Sequence, residues 1–226
     1  MRDLLIITPS RRRPASVKRL TEAVAETCAA QTDLIFAFDD DDPELEANIA
    51  AAGGSMHVHG PRRSMCEWTN NIASVYSPQD YRALASLGDD HVPRTKGWDT
   101  MLLDGLDRIG GTGIAYGNDE LAPDLPTAAV VTSDIVKALG WMCLPGLSSY
   151  CPDNVWFDLG DGAGCLVHRM DVIIAHLHWT SGLAPGDETY AEAGGFRLEH
   201  PDWAVYQAWR SERMTQDVAT VKGLMA

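Results

Sequence analysis

The residues best suited to chemistry in this sequence follow its short apolar runs. After the run at residues 83–87 comes the segment GDDHVP, which sets Asp89, Asp90 and His91 side by side. Adjacent carboxylates repel each other unless a cation or solvent relieves the repulsion, and carboxylate oxygens with an imidazole are good ligands for a divalent metal ion. The segment therefore predicts a metal site, with an exposed acidic turn as the alternative.

Charged side chains also follow the other apolar runs of the first half. The run at residues 4–8 leads into PSRRRP, the run at 34–38 into DDDDPE, and the run at 56–59 into GPRRS. Guanidinium groups hold phosphate oxygens, whereas carboxylates hold a divalent ion or the hydrogen-bond donors of a ribose or base. A solvated basic turn and an acidic helix N-terminus are the alternative interpretations of the first two segments. Together the segments favour a site for a nucleoside diphosphate.

The elements that must position these residues alternate along the first half. Each apolar run has the length of a strand, and between the runs apolar residues recur every three or four positions, as from Val17 to Cys28. Strands that lack a polar face are typical of a parallel sheet with helices on both faces. Ligands bind at the carboxyl ends of the strands in such sheets, so we expect the charged segments to converge at one edge.

The length of 226 residues fits one domain, and no linker interrupts the chain. Residues 1–110 have the pattern of a nucleotide-binding α/β unit. Beyond them glycine and proline are frequent up to Gly164. The spacing of Trp203, Tyr206 and Trp209, with Val218 and Val221 further on, predicts a closing helix.

Composition argues against several classes of protein. The formal net charge of −14 disfavours a broad nucleic-acid footprint, although arginines cluster at residues 11–13 and 62–63. No apolar run approaches the ~18 residues of a membrane-spanning helix. The N-terminus lacks the apolar core of a signal peptide, so we expect a cytoplasmic protein with no membrane partner. The five cysteines form no CxxC pair, which favours reduced thiols over disulfides or structural zinc.

These segments give the chain a resemblance to the family-two-like glycosyltransferases of the GT-A type, in particular to small versions found in bacteriophages. The resemblance covers nearly the whole chain and implies a single GT-A domain, with a nucleotide-binding half at residues 1–110 and an acceptor-binding half at 111–226. It implies sugar transfer from a nucleotide diphosphate, with UDP as the commonest carrier, to a virion protein or a hydroxylated DNA base in the host cytoplasm. The positions that correspond to donor-binding residues are Thr8, Pro9, Arg11, Asp39, Arg63 and Asp89.

The family's acidic motif binds manganese or magnesium, and the resemblance places Asp90 as the main metal ligand. The usual motif is Asp-any-Asp, and Gly88 stands where its first aspartate is often found. Asp89 then bonds the ribose or reaches the metal through water, and His91 orients the loop.

A late histidine often supplies a further metal ligand in this family. The segment VIIAHLHWTSG offers His176 and His178, which are two residues apart and so share a face if both lie on a strand. His178, nearer the strand end, is the predicted ligand. His176 is the alternative, although a lone histidine is more often structural.

The family also carries an acidic residue at the start of a helix beside the acceptor. In CPDNVWFDLG, Pro152 is suited to a first helical turn, so Asp153 corresponds to the general base of an inverting transferase. If Asp153 is a simple N-cap, retention of configuration stays open. The departure at Gly88 also leaves a non-catalytic sugar-nucleotide or glycan binding module as the alternative function.

Overall fold

The computed structural model of the chain describes residues 1–76, 80–122, 124–178 and 201–225. The strands of this described part are β1 (Arg2–Pro9), β2 (Thr32–Asp39), β3 (Met56–Gly60), β4 (Tyr81–Ser86), β5 (His91–Pro93), β6 (Ile114–Asn118), β7 (Ala129–Thr132) and β8 (Leu166–His176). Its helices are α1 (Pro14–Thr27), α2 (Leu45–Ala52), α3 (Met65–Tyr76), α4 (Trp98–Asp107), α5 (Ser133–Leu139), α6 (Pro152–Ala163), α7 (Asp202–Glu212) and α8 (Met214–Leu224). In the described part of the chain, no helix has the length and hydropathy needed to cross a membrane.

The eight strands form one sheet in the order β3-β2-β1-β4-β7-β6-β8-β5. The first four strands in this order pair in parallel with their neighbours, and β6 pairs in parallel with β8. Since β7 is antiparallel to both β4 and β6, strand β6 runs in the direction of β4. The carboxyl ends of β1, β2, β3, β4, β6 and β8 therefore lie at the same edge of the sheet.

Alternate residues of the central strands point to opposite faces of the sheet, and each face is buried against helices. On β1, Leu5 and Ile7 belong to a core packed with residues of α3, α5 and α6, while Leu4 and Ile6 belong to a second core packed with residues of α1, α2 and α4. All four side chains are fully buried. This arrangement confirms the predicted α/β class, a mostly parallel sheet with helices on both faces.

The end of the chain folds as two helices, whereas the sequence predicted one. The backbone leaves helical geometry at Arg213, with φ −127°, between α7 and α8. This turn brings the Asp217 carboxylate to accept a 2.8 Å hydrogen bond from the Trp209 indole. At the start of α7, the buried Asp202 side chain accepts hydrogen bonds from Ser148 and Tyr150, which fixes the loop that leads into α6.

Candidate active site

The predicted metal segment meets the end of β8 at the carboxyl edge of the sheet. The short strand β5 pairs antiparallel with β8, and the register sets His91 opposite His176. The two imidazole rings stack with centroids 4.2 Å apart and planes 20° apart. Beside them the Asp90 carboxylate lies 3.4 Å from His176 Nε2 and 3.5 Å from His91 Nδ1. One ligand atom from each of the three residues lies within 4.8 Å of the others.

This donor set fits a divalent metal ion. It offers a carboxylate oxygen and imidazole nitrogens, a mixed set that suits Mn²⁺, whereas Mg²⁺ prefers oxygen ligands alone. His91 Nε2 and His176 Nδ1 are buried, and neither nitrogen makes a hydrogen bond of ordinary geometry with any of the described residues. Burial alone lowers the pKa of His176, but the Asp119 and Asp90 carboxylates outweigh burial and raise it to about 9. The surroundings of this ring therefore stabilise positive charge.

His178, the predicted metal ligand, lies beyond the end of β8, so it does not share a strand face with His176. Its ring is edge-on to that of His176, with centroids 5.4 Å apart. The alternative residue, His176, lies with its Nε2 3.4 Å from the Asp90 carboxylate. Burial lowers the pKa of His178, and the charge of His176 lowers it further.

The surroundings of residue 88 explain why this chain has glycine there in place of the first aspartate of the Asp-any-Asp pattern. Its backbone N–H donates to His91 Nδ1 at 2.9 Å. A Cβ at this position would lie 2.5 Å from Asp90 Oδ1 and 3.0 Å from His91 Nδ1. An aspartate at residue 88 therefore does not fit beside the Asp90 carboxylate as it is placed here.

Replacing Gly88 with alanine should weaken metal binding because the added methyl group displaces the Asp90 carboxylate. We expect the Mn²⁺ dissociation constant to rise about tenfold or more, the order found when the support of a metal ligand is disturbed. The overpacking should cost about 1–3 kcal/mol of unfolding free energy. Gly54→Ala is the matched control, because a Cβ there meets no atom within 4 Å. Equal Mn²⁺ affinities in the two variants, measured by calorimetry, would contradict this account of Gly88.

The predicted donor-binding residues Asp39, Arg11 and Arg63 come together at the ends of β1, β2 and β3. Oδ1 of the buried Asp39 accepts hydrogen bonds from the Trp68 indole at 2.8 Å and from the Arg63 backbone N–H at 3.1 Å. Arg11 approaches Asp39 Oδ2 at 3.5 Å and pairs with Asp41 at 2.7 Å. The Arg63 guanidinium lies 5.4 Å from the centre of the Trp68 ring. Trp68 is also part of the buried core, and its position in the sequence does not reveal the contact with Asp39.

Asp89 makes its side-chain contacts with the segment that follows β1. Its carboxylate accepts hydrogen bonds from Ser10 Oγ at 2.6 Å and from the Arg13 guanidinium at 3.0 Å. Burial raises the pKa of Asp89 to about 6, although Arg13 lowers it. Nearby, Thr8 is fully buried and Pro9 ends the strand. Ser10 and Arg13 belong to the charged segment that follows the first apolar run, but the sequence does not show which residues of that segment face Asp89.

Asp153 is the second residue of α6, and the N-cap position belongs to Cys151, which has φ 72°. The interpretation of Asp153 as a simple N-cap is therefore wrong. Its Oδ1 accepts a local hydrogen bond from the Asn154 N–H at 2.9 Å. Burial raises the pKa of Asp153, while the charge of His176 opposes that rise. The start of α6 thus lies within electrostatic reach of the imidazole cluster.

Comparison with known proteins identifies the fold. No protein-family model and no curated protein matches the chain. The mannosyltransferase PcManGT from Pyrobaculum calidifontis, solved with GDP-Man and Mn²⁺, aligns over 99% of this chain and 75% of its own, with 9% identity and a TM-score of 0.62. The chain has the GT-A fold.

Two further solved structures support the GT-A assignment. Glucosyl-3-phosphoglycerate synthase from Mycobacterium tuberculosis, with Mn²⁺, UDP and phosphoglyceric acid, aligns over 77% of this chain and 70% of its own, with 13% identity and a TM-score of 0.57. Residues 1–349 of TarS from S. aureus align over 76% of this chain with 9% identity and a TM-score of 0.57. The match spans 59% of that TarS chain. The predicted GT-A fold is confirmed.

Proposed function

We propose that the chain transfers a sugar from a nucleoside-diphosphate donor to a hydroxyl acceptor with the help of a divalent metal ion. The observation that supports this function is the convergence, at one edge of a GT-A sheet, of the Asp90 and His176 cluster with the Asp39 and Arg11 group. A diphosphate donor needs both kinds of group, because its phosphates attract guanidinium groups and a cation while its ribose and base need acceptors.

The donor side of the site is formed by the segments that follow β1, β2 and β3. In this proposal Thr8 and Pro9 line the nucleotide, Asp39 accepts from the base, and Arg11 and Arg63 face the phosphates. Complexes of the structural neighbours contain UDP or GDP-Man, which supports a nucleotide carrier. UDP is the carrier that we propose, following the family resemblance.

On the metal side of the site, Asp90 and His176 would hold Mn²⁺ or Mg²⁺. His178, whose ring is edge-on to that of His176, is the further ligand that we propose. The Asp89 carboxylate is fixed on the nucleotide side by Arg13 and Ser10. When bound, such an ion stabilises the negative charge that develops on the leaving diphosphate.

Asp153 is the proposed general base. Its carboxylate removes the proton of the acceptor hydroxyl while the acceptor oxygen forms a bond to the anomeric carbon and the bond from that carbon to the diphosphate oxygen breaks. Attack from the face opposite the leaving group inverts the anomeric centre. The raised pKa of the half-buried Asp153 carboxylate suits this role, because a base works best when its pKa approaches the working pH.

The acceptor is proposed to be a protein or a hydroxylated DNA base, as in the phage enzymes that the sequence resembles. The net charge of −14 favours a protein acceptor, because DNA would require a concentrated basic groove. A turnover screen of UDP- and GDP-sugars against protein and hydroxylated-DNA acceptors, with and without Mn²⁺, tests the proposal. Release of UDP or GDP should require Mn²⁺ and acceptor. Binding without turnover in all combinations would instead favour the non-catalytic binding module.

A further inference from the structure

A buried carboxylate that the sequence did not single out, Asp119, lies beside His176. It directly follows β6, whose carboxyl end is adjacent to that of β8 because the two strands are parallel neighbours. His176 Nδ1 is 3.5 Å from Asp119 Oδ2, and the His176 backbone N–H donates to the Asp119 carbonyl oxygen at 2.9 Å. With Asp90 3.4 Å from Nε2, the imidazole has one carboxylate at each nitrogen.

Asp119 is held firmly in place by its own loop. Its Oδ1 accepts hydrogen bonds from the backbone N–H groups of Leu121 at 2.9 Å and Ala122 at 2.6 Å, and its Oδ2 accepts one from Thr127 Oγ1 at 2.7 Å. A carboxylate has about four lone-pair sites, so these three bonds leave room for one more donor. The residue is 2% exposed, so water competes little for that place.

The imidazole of His176 needs an acceptor of this kind. Its Nδ1 is buried, and within the described ranges no hydrogen bond of ordinary geometry reaches it. Asp119 Oδ2 is the oxygen that faces this nitrogen. Histidines that bind metals usually donate the other ring N–H to a carboxylate or carbonyl, which fixes both the tautomer and the orientation of the ring. The stacked ring of His91 restrains one face of the same imidazole.

We infer that Asp119 is a positioning residue of the metal site: it accepts the Nδ1 proton of His176 and thereby leaves Nε2, beside Asp90, as the metal ligand. The inference rests on the proposed function, since it requires a divalent ion at Asp90 and His176. It assigns to the loop after β6 a part in the site that neither motif spacing nor the family resemblance indicated.

The test is a double-mutant cycle on Mn²⁺ binding, measured with the metal alone by electron paramagnetic resonance. Asp119→Asn should weaken Mn²⁺ binding about 10- to 100-fold, the usual cost of losing such a partner. In a His176→Ala background the same substitution should change the affinity by less than about twofold, because the ligand through which Asp119 acts is absent. An equal loss in both backgrounds would show that Asp119 merely supports the loop.

Asp99→Asn is the matched control. Asp99 is also fully buried and accepts hydrogen bonds from Ala29, Ala30 and Thr32, but it lies where β2 begins, at the edge opposite the site. It should lower thermal stability and leave Mn²⁺ affinity within about twofold of the unsubstituted chain. If the unsubstituted chain binds no Mn²⁺, the proposed metal site fails and this inference fails with it. Wild-type Mn²⁺ affinity in a folded Asp119→Asn variant overturns the inference alone.

A second measurement needs no substitution. Long-range proton–nitrogen NMR correlations of the Zn²⁺-loaded chain should show His176 protonated at Nδ1 and coordinated through Nε2. Coordination through Nδ1 would overturn the assignment of Asp119, whatever the stability of its variants.

Discussion

Replacing Asp90 with alanine should abolish Mn²⁺-stimulated sugar transfer. The substitution removes the carboxylate that lies beside both imidazoles, and a bound metal ion contributes several kcal/mol of charge stabilisation. Since each 1.36 kcal/mol is a factor of ten in rate, we expect turnover to fall about a thousandfold or more. Steady-state release of UDP or GDP, with calorimetry of Mn²⁺ binding, measures both effects.

The fold should survive this substitution, because the contact that ties the loop to β8 uses the Asp90 backbone. The Asp90 carbonyl oxygen accepts a 2.9 Å hydrogen bond from the Leu177 N–H, and alanine keeps it. Asp107→Ala is a suitable control, since Asp107 is an exposed carboxylate that pairs with Arg82 near the opposite edge. Unchanged Mn²⁺ and nucleotide binding in Asp90→Ala would refute the metal assignment.

Asp153→Asn should lower turnover by about two decades or more while leaving donor affinity unchanged, in line with the 10²–10⁴-fold contribution of general bases. Asparagine has nearly the same size, and its carbonyl oxygen can still accept the hydrogen bond from the Asn154 N–H. Because Cys151 is the N-cap, no cap is lost, and the unfolding free energy should change by less than about 1 kcal/mol. Turnover and donor dissociation constants measured on the same preparation separate the two effects.

The matched control for this prediction is Asp161→Asn, which changes an exposed carboxylate on the same helix. It should leave turnover unaltered. Near-normal transfer by Asp153→Asn, or a product with retained anomeric configuration, would exclude the inverting mechanism with Asp153 as its base.

The first half of the fold follows closely from the sequence. The apolar runs at residues 4–8 and 34–38 lie inside β1 and β2, because fully buried parallel strands need apolar side chains on both faces. The convergence of Asp39 and Arg11 also follows, since polar residues that end neighbouring parallel strands meet at one edge.

The contacts made by the second half do not follow from local pattern. His91 faces His176 because the three-residue strand β5 pairs antiparallel with β8, a register that no periodicity of the sequence reveals. The same limitation hid Asp119, which reaches His176 through a loop after β6. Strand-end position favoured His178 as the ligand, whereas the pairing of β5 with β8 places His176 opposite His91.

Calorimetric coupling between metal and nucleotide tests the central claim most directly. If one edge of the sheet holds a divalent ion and a diphosphate together, Mn²⁺ must tighten UDP binding, and UDP must tighten Mn²⁺ binding by the same factor, because equilibrium coupling is reciprocal. We expect a factor of about 5 to 150, the usual range for such coupling. UDP and GDP affinities that are identical in Mn²⁺ and in chelator, or no binding of either nucleotide, would contradict the account.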